Sequence, residues 1–346
     1  MSGLRAKYHA LMTCRWALPV LVVIGFIFTV IIEKYQLFNG YTVFVLVTIG
    51  INIILCASLN LVNGYMGEFS VGHAGFMGLG AYAASILTVK IFPNVDTPVL
   101  FFCAVIAGGL VAAFIGFLLA ILSFKTRGDY LAIITLAFLM IVKSSLENIH
   151  YVGGPRGLLG IHHLTTLPWT FFWVVVTLWV IRNLIYSKIG RAIIAIREDE
   201  IAANAMGVRT REAKIFAFAT SSFFGGIAGA LYAHQIQFIN PSSFDILKST
   251  EILVMVYLGG VGSLGGSILG AVVFTLLYRF LEQLTIGPGQ LGSWHFGPWQ
   301  LGTWRMVIMP LILVLLMLFR PRGIMGLREF AWFLPSRELL TRRKKE

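Results

Sequence analysis

Gly259-Gly260-Val261-Gly262-Ser263-Leu264-Gly265-Gly266 lies inside an apolar stretch that runs from residue 249 to 284. A bilayer core about 30 Å thick is crossed by roughly 20 helical residues, so this stretch is too long for one span. Five glycines in eight residues break a helix. The stretch therefore reads as two passes, or as a short helix that enters and returns. The other way to fit it is one tilted, kinked helix, with the orientation wrong elsewhere.

The rest of the chain has the same apolar character. Of 346 residues, 58% are hydrophobic and only 12% charged, and the mean hydropathy is +0.84. Soluble domains carry about 25% charged residues. This much apolar surface cannot be hidden within the chain, which predicts an all-α polytopic membrane protein. The formal charge of +12 does not point to nucleic acid, because the basic residues gather at span ends, as they do in cytoplasmic loops. Cys14, Cys56 and Cys103 fit neither a zinc site nor a disulfide framework and read as small core residues.

Spans are expected at 17–32, 43–62, about 70–90, 98–124, 129–147, 168–186 and 215–234, then in 249–284, and at 303–319. Arg5, Lys7 and Arg15 precede the first, which ends without a small-x-small cleavage site and reads as an uncleaved span with its N-terminus inside. Lys125 and Arg127, then Lys188, Arg191 and Arg197, then Arg320, Arg322 and Arg328, mark inner ends. If 249–284 crosses once, the basic C-terminal segment 320–346 falls outside. Two passes restore the parity, giving about ten transmembrane helices and both termini in the cytoplasm. The whole chain, 1–346, reads as a single transmembrane domain.

An internal echo supports a design in two halves. Gly72, Gly75, Gly80 and Ala81 recur with identical spacing as Gly262, Gly265, Gly270 and Ala271. The match fits a structural repeat with broken helices, and it equally fits small residues gathered wherever helices pack closely. The first copy lies in a polar, glycine-rich segment from Asn60 to Tyr82. Irregular backbone at membrane depth is tolerated only where protein buries it or a cavity hydrates it. Asn60, Ser70, Gly72, His73, Gly75, Gly260, Gly262, Ser263 and Gly265 are thus candidates for a hinge or for the lining of a translocation path. Close helix packing is the alternative. Glu68 is placed at the inner interface with no special role.

Several chemistries are excluded. Gly260 to Gly265 spells G-x-G-x-x-G, but a dinucleotide fingerprint needs a strand before it and a parallel sheet around it, and membrane spans flank it here. No G-x-x-x-x-G-K-[ST] occurs, so any ATP hydrolysis must come from another polypeptide. His162-His163 have no carboxylate or cysteine at ligand spacing, so no metal or cofactor is expected. No nucleophile, base and acid come together, which argues against an enzyme. Asp129, Lys143, Glu147, Glu251 and Glu282 stand within a turn or two of span ends, where snorkelling or interfacial solvation accounts for them.

The loop 187–214 is the one long, charged, helix-forming stretch between spans. Glu198 or Asp199 suits a helix N-terminus, Ala202, Ala203 and Ala205 favour helix, and Gly207 is a natural terminator. A short capped helix on the inner side either docks on a partner or is a solvated connector.

Together, the segment Gly67 to Tyr82, the loop Gly190-Arg191-Ala192 to Gly207, Asn240-Pro241-Ser242-Ser243-Phe244 and the break Gly259 to Gly266 resemble the permeases of branched-chain amino acid ABC importers, the LivM branch. The resemblance covers about residues 40–327. It implies one membrane subunit of an importer in a bacterial inner membrane, embedded in lipid. It further implies a second, homologous permease subunit, two cytoplasmic ATPase subunits and a periplasmic substrate-binding protein. The loop is similar to the family's coupling helix, which makes Arg197, Glu198, Glu200, Ala202, Ala203 and Gly207 candidates for ATPase contact. Against the E-A-A-x-x-x-G pattern of ABC importers, this chain has one residue inserted after Glu200, so the resemblance does not choose between Glu198 and Glu200. Permeases for urea and short amides look much alike. A self-contained secondary transporter or channel is the reading from another class.

Overall fold

The computed structural model describes residues 17–92, 97–125 and 130–283, and short pieces between 285 and 329. Eleven helices are traced in it: α1 (Ala17–Tyr35), α2 (Gly40–Asn60), α3 (His73–Ile86), α4 (Pro98–Ser123), α5 (Tyr130–Asn148), α6 (Leu167–Tyr186), α7 (Lys188–Glu198), α8 (Glu200–Ala205), α9 (Thr210–Ile236), α10 (Ile246–Gly259) and α11 (Leu264–Gln283). Short π-helical turns, Leu61–Met66 and Leu87–Ile91, extend α2 and α3. Seven of these helical runs, among the described residues, are long and apolar enough to cross a membrane. The chain is thus an all-α polytopic membrane protein. The 19-residue α1 and the 14-residue α10 stand outside that set. Most of the expected last span 303–319 and most of the basic tail 320–346, together with Arg127 and Asp129, lie outside the described residues.

The long apolar stretch does break at its glycines. Helix α10 stops at Gly259, and α11 starts at Leu264. At about 1.5 Å per residue α10 reaches only some 21 Å, short of a full crossing. Gly260 has φ +134° and Gly262 φ +79°, which L side chains rarely adopt. One departure from helix lies in the segment 285–302. Thr285–Ile286 pairs antiparallel with Trp299–Gln300, and Gly289–Leu291 with Trp294–Phe296. The described runs there are only two or three residues long.

Helices α2, α3, α4, α9 and α10 form the centre. Tyr82, Phe76, Phe101, Phe218, Phe224 and Phe244 are its largest fully buried side chains. Glycines let these helices meet backbone to backbone: a Cβ at Gly80 would lie 2.2 Å from Gly226 O, and one at Gly229 1.9 Å from Met77 O. The outward faces of α1, α4 and α5 expose Val23, Ile24, Phe114, Leu122, Ile133 and Ile141, as lipid-facing surfaces do. Cys56 is buried and Cys103 exposed.

Candidate functional site

The two glycine-rich breaks meet. Helix α2 carries Asn60, completely buried, just before the first break. Its Nδ2 donates to Ser263 O at 2.9 Å and to Ser267 Oγ at 2.8 Å, and its Oδ1 accepts from Gly262 N at 2.9 Å. One amide therefore satisfies backbone groups that the second break leaves open, which burial without a partner would make costly. Gly64 sits so close that a Cβ there would lie 2.0 Å from Asn60 Oδ1 and 2.4 Å from Gly262 N.

Each break is then capped by side chains. In the first, Asn63 Oδ1 accepts from Ser70 N at 3.2 Å, Thr135 Oγ1 of α5 accepts from Val71 N at 3.1 Å, and Ser249 of α10 donates to Val71 O. In the second, Ser263 Oγ accepts from Gly266 N at 3.0 Å, an N-cap for α11. Glu329, beyond the last expected span, accepts from Leu264 N at 2.6 Å, Gly265 N at 3.2 Å and the Tyr65 hydroxyl at 2.8 Å. A carboxylate on a helix N-terminus is well placed, because the orphan N–H groups and the helix dipole both favour negative charge there.

All nine candidates for the path, Asn60, Ser70, Gly72, His73, Gly75, Gly260, Gly262, Ser263 and Gly265, are buried against this chain's own helices. His73 Nε2 is 2.8 Å from Ser58 Oγ, and a Cβ at Gly75 would stand 3.1 Å from the Phe138 ring. These residues pack the two breaks against the surrounding helices. Larger voids lie elsewhere: a groove of about 760 Å³ opens between α4 and α9, beside Phe117, Phe216 and Arg211, and one of about 620 Å³ lies beside Phe26, Phe102 and Trp169.

The internal echo has a structural counterpart. Gly72 precedes α3 by one residue and Gly262 precedes α11 by two. Further along, Gly80 lies against Gly226, and Gly270 against Met255 O, where a Cβ would come within 2.1 Å. Each copy thus repeats a break, a helix start and a close helix crossing.

The loop folds as two helices. Ser187 Oγ accepts from Gly190 N at 3.1 Å to start α7, whose Gly190, Ile193 and Ile196 are buried along one face. Asp199 accepts from Ile201 N at 2.8 Å and Ala202 N at 2.9 Å to start α8. At the other end Val208 N donates to Ala203 O and Gly207 N to Asn204 O, with φ +81° at Gly207. That is a Schellman ending.

This loop holds the first break. Arg197 Nη1 donates to Gly64 O at 3.1 Å and Nη2 pairs with Glu198 at 2.6 Å. Lys214 of α9, 7% exposed, bridges Glu68 of the break at 2.6 Å and Glu200 of α8 at 2.8 Å. Glu68 therefore has a partner beyond solvent. Glu200 is committed within the chain, whereas Glu198 stays largely exposed. Ala203 is buried, Ala202 and Gly207 are open, and Ile201 and Met206 are 84% and 85% exposed. Composition alone did not single out Ile201, Met206, Gly64, Lys214 or Glu329. The alternation around Asp199 could have flagged the first two.

A family model described as branched-chain amino acid transport system, permease component, matches residues 41–317. The chain belongs to that family. Both breaks and the whole loop 187–214 lie inside the matched region of this permease. Over 310 residues it is 32% identical to the high-affinity branched-chain amino acid transport system permease protein LivM of Escherichia coli K12, covering 80% of this chain and 68% of LivM. The LivM of Salmonella typhimurium LT2 matches to the same extent. A shorter likeness, 30% identity over 129 residues and 36% of each chain, links the permease to the autoinducer 2 import system permease protein LsrC of Yersinia pseudotuberculosis YPIII. No solved structure matches.

Proposed function

We propose that this chain is the membrane-spanning subunit of an ATP-driven importer for branched-chain amino acids in a bacterial inner membrane, working with a second permease subunit, two ATPase subunits and a periplasmic binding protein. One observation carries the reading: a short capped helix presents two bare apolar side chains, Ile201 and Met206, while Arg197 of α7 holds Gly64 and Glu200 reaches Glu68 of the first break through Lys214. Exposed apolar anchors on a short helix suit insertion into a groove. The anchors and the grip are linked through Arg197, Asp199 and Glu200. A push on α8 is thereby delivered to Gly64 and Glu68, and from Gly64 to Gly262. The breaks act as the moving joint between inward-open and outward-open states, and the substrate path runs along helices they position. The substrate itself comes from the LivM relatives' names. The chain contributes no catalytic step of its own.

The orientation follows from the same reading: loop 187–214 and both termini face the cytoplasm, and the segment 148–167 faces outside. Ile201→Cys is to be labelled by an impermeant thiol reagent only from the inner side, and Leu159→Cys, 69% exposed, only from the outer side. The docking claim is tested by Ile201→Asp and Met206→Asp. Each is expected to weaken co-purification of the ATPase roughly tenfold or more, the scale of an interface anchor. Undiminished co-purification of the double variant contradicts docking through α8.

A further inference from the structure

A second polar cluster, remote from the breaks, sits where the outer end of α5 meets the first turns of α10. Lys143 Nζ is 2.7 Å from Asp245, with side chains 24% and 27% exposed. One turn on, Lys248 Nζ is 3.0 Å from Glu251, at 20% and 22%. Lys248 also stands over the Tyr232 ring, 5.9 Å from its centroid. Tyr232 and Tyr82 both pack edge-on to Phe244, at 6.1 and 6.2 Å. Glu147 is near enough to act electrostatically on both Lys143 and Tyr82.

Three features of this cluster call for a ligand. Four charges sit half-sheltered at the start of α10, a helix too short to cross the bilayer, and ionisable groups within a membrane protein mark substrate paths. The charges come as two acids and two bases at hydrogen-bonding separation, a pattern complementary to a group that carries both signs. The Tyr82 hydroxyl is buried without a hydrogen-bond partner among the described residues, and the ring itself is 2% exposed. An unsatisfied buried hydroxyl is costly and persists where it serves a visitor.

We propose that this cluster is the outer binding station for the head group of an α-amino acid. Lys248 and Lys143 face its carboxylate, Glu251 and Asp245 its ammonium, and Tyr82 adds a hydrogen bond. Phe244 and Tyr232 offer the apolar wall for an aliphatic tail. The inference rests on the importer reading and sharpens it, because urea and simple amides carry no such pair of charges.

The test uses the complete transporter in proteoliposomes, with its ATPases and binding protein, and radiolabelled leucine. Lys248→Met and Glu251→Gln are expected to lower ATP-driven uptake roughly tenfold or more, the scale of breaking one side of a sheltered charge pair, and Lys248→Arg to retain it. Tyr82→Phe removes an unsatisfied hydroxyl, so a purely structural position predicts full uptake and equal or higher thermal stability. The binding station predicts equal or higher stability with uptake reduced severalfold. Full uptake by Tyr82→Phe together with the double variant Lys248→Met/Glu251→Met overturns the proposal. Failure of the importer reading shows differently, as no ATP-driven leucine uptake by the unaltered transporter.

Discussion

Arg197, in the loop 187–214, donates a hydrogen bond to the carbonyl oxygen of Gly64, 133 residues earlier in the chain, at 3.1 Å. The acceptor belongs to the π-helical turn where α2 gives way to the first break. Wide turns of this kind recur at functional positions, and here one lies between the surface offered to a partner and the second break at Gly262. The loop and the two broken helices are therefore one mechanical unit.

Gly64 is one of the tightest points of that unit. Alanine there would press its Cβ to 2.4 Å from Gly262 N, a backbone atom that cannot swing aside. Gly64→Ala is expected to destabilise the protein by about 1–3 kcal/mol, the usual cost of overpacking, and to abolish transport. Gly40→Ala serves as control, since nothing lies within 4 Å of its would-be Cβ. Thermal unfolding in detergent checks the first effect and uptake the second.

Lys214 is a buried cation between two carboxylates. Its replacement by Met leaves Glu68 and Glu200 close together without their counter-charge, at a cost of about 3–5 kcal/mol. The triple variant Lys214→Met/Glu68→Gln/Glu200→Gln removes the repulsion and should recover much of that loss. Thermal unfolding of the three-step series measures it. A triple variant as unstable as Lys214→Met shows that packing around the lysine stem, not charge balance, holds this corner.

Asp245 predicts an acid limb. The hydrogen bond from Lys143 holds its carboxyl below the ordinary carboxylate range, with the Ile246 N–H and the Lys143 charge adding to it against burial. A depressed folded pKa means that the ionised form is favoured in the native state. Its contribution is complete above the unfolded value of about 3.9 and fades as pH falls through the lower folded value. Asp245→Asn should unfold at lower temperature than the unaltered protein at neutral pH, with the gap closing below about pH 4. A gap independent of pH assigns the loss to shape rather than charge.

Much of this architecture was legible in residue order. The glycine run at 259–266 marked the break because helix propensity falls steeply there, and the charged loop stood out against apolar flanks. Matching glycine spacing pointed to a helix start after each break. Other features depended on contacts between residues far apart in sequence. Asn60 looked like a path-lining residue, but its amide is used up on Gly262, Ser263 and Ser267. Ala203 looked like a docking surface, but the turn at Asp199 faces it inward and presents Ile201 and Met206. Ala203→Trp would therefore disturb the chain's own packing before it reached a partner. Lys143 and Glu68 looked like solvated span-end charges, because nothing local reveals that Asp245 and Lys214 come to meet them, whereas the pairing of Glu251 with Lys248 follows from their i,i+3 spacing on one helix.

The central claim is that an outside motor moves this joint through loop 187–214. Proteoliposomes holding this chain, its partner permease, the ATPases and the binding protein are loaded with ATP, and leucine uptake is followed for the unaltered loop and for Ile201→Asp/Met206→Asp. The account predicts ATP-dependent uptake by the first and loss of at least roughly 90% of it in the second, the tenfold scale of an interface anchor. Uptake that proceeds without ATP, or that is indifferent to the altered α8, would contradict it.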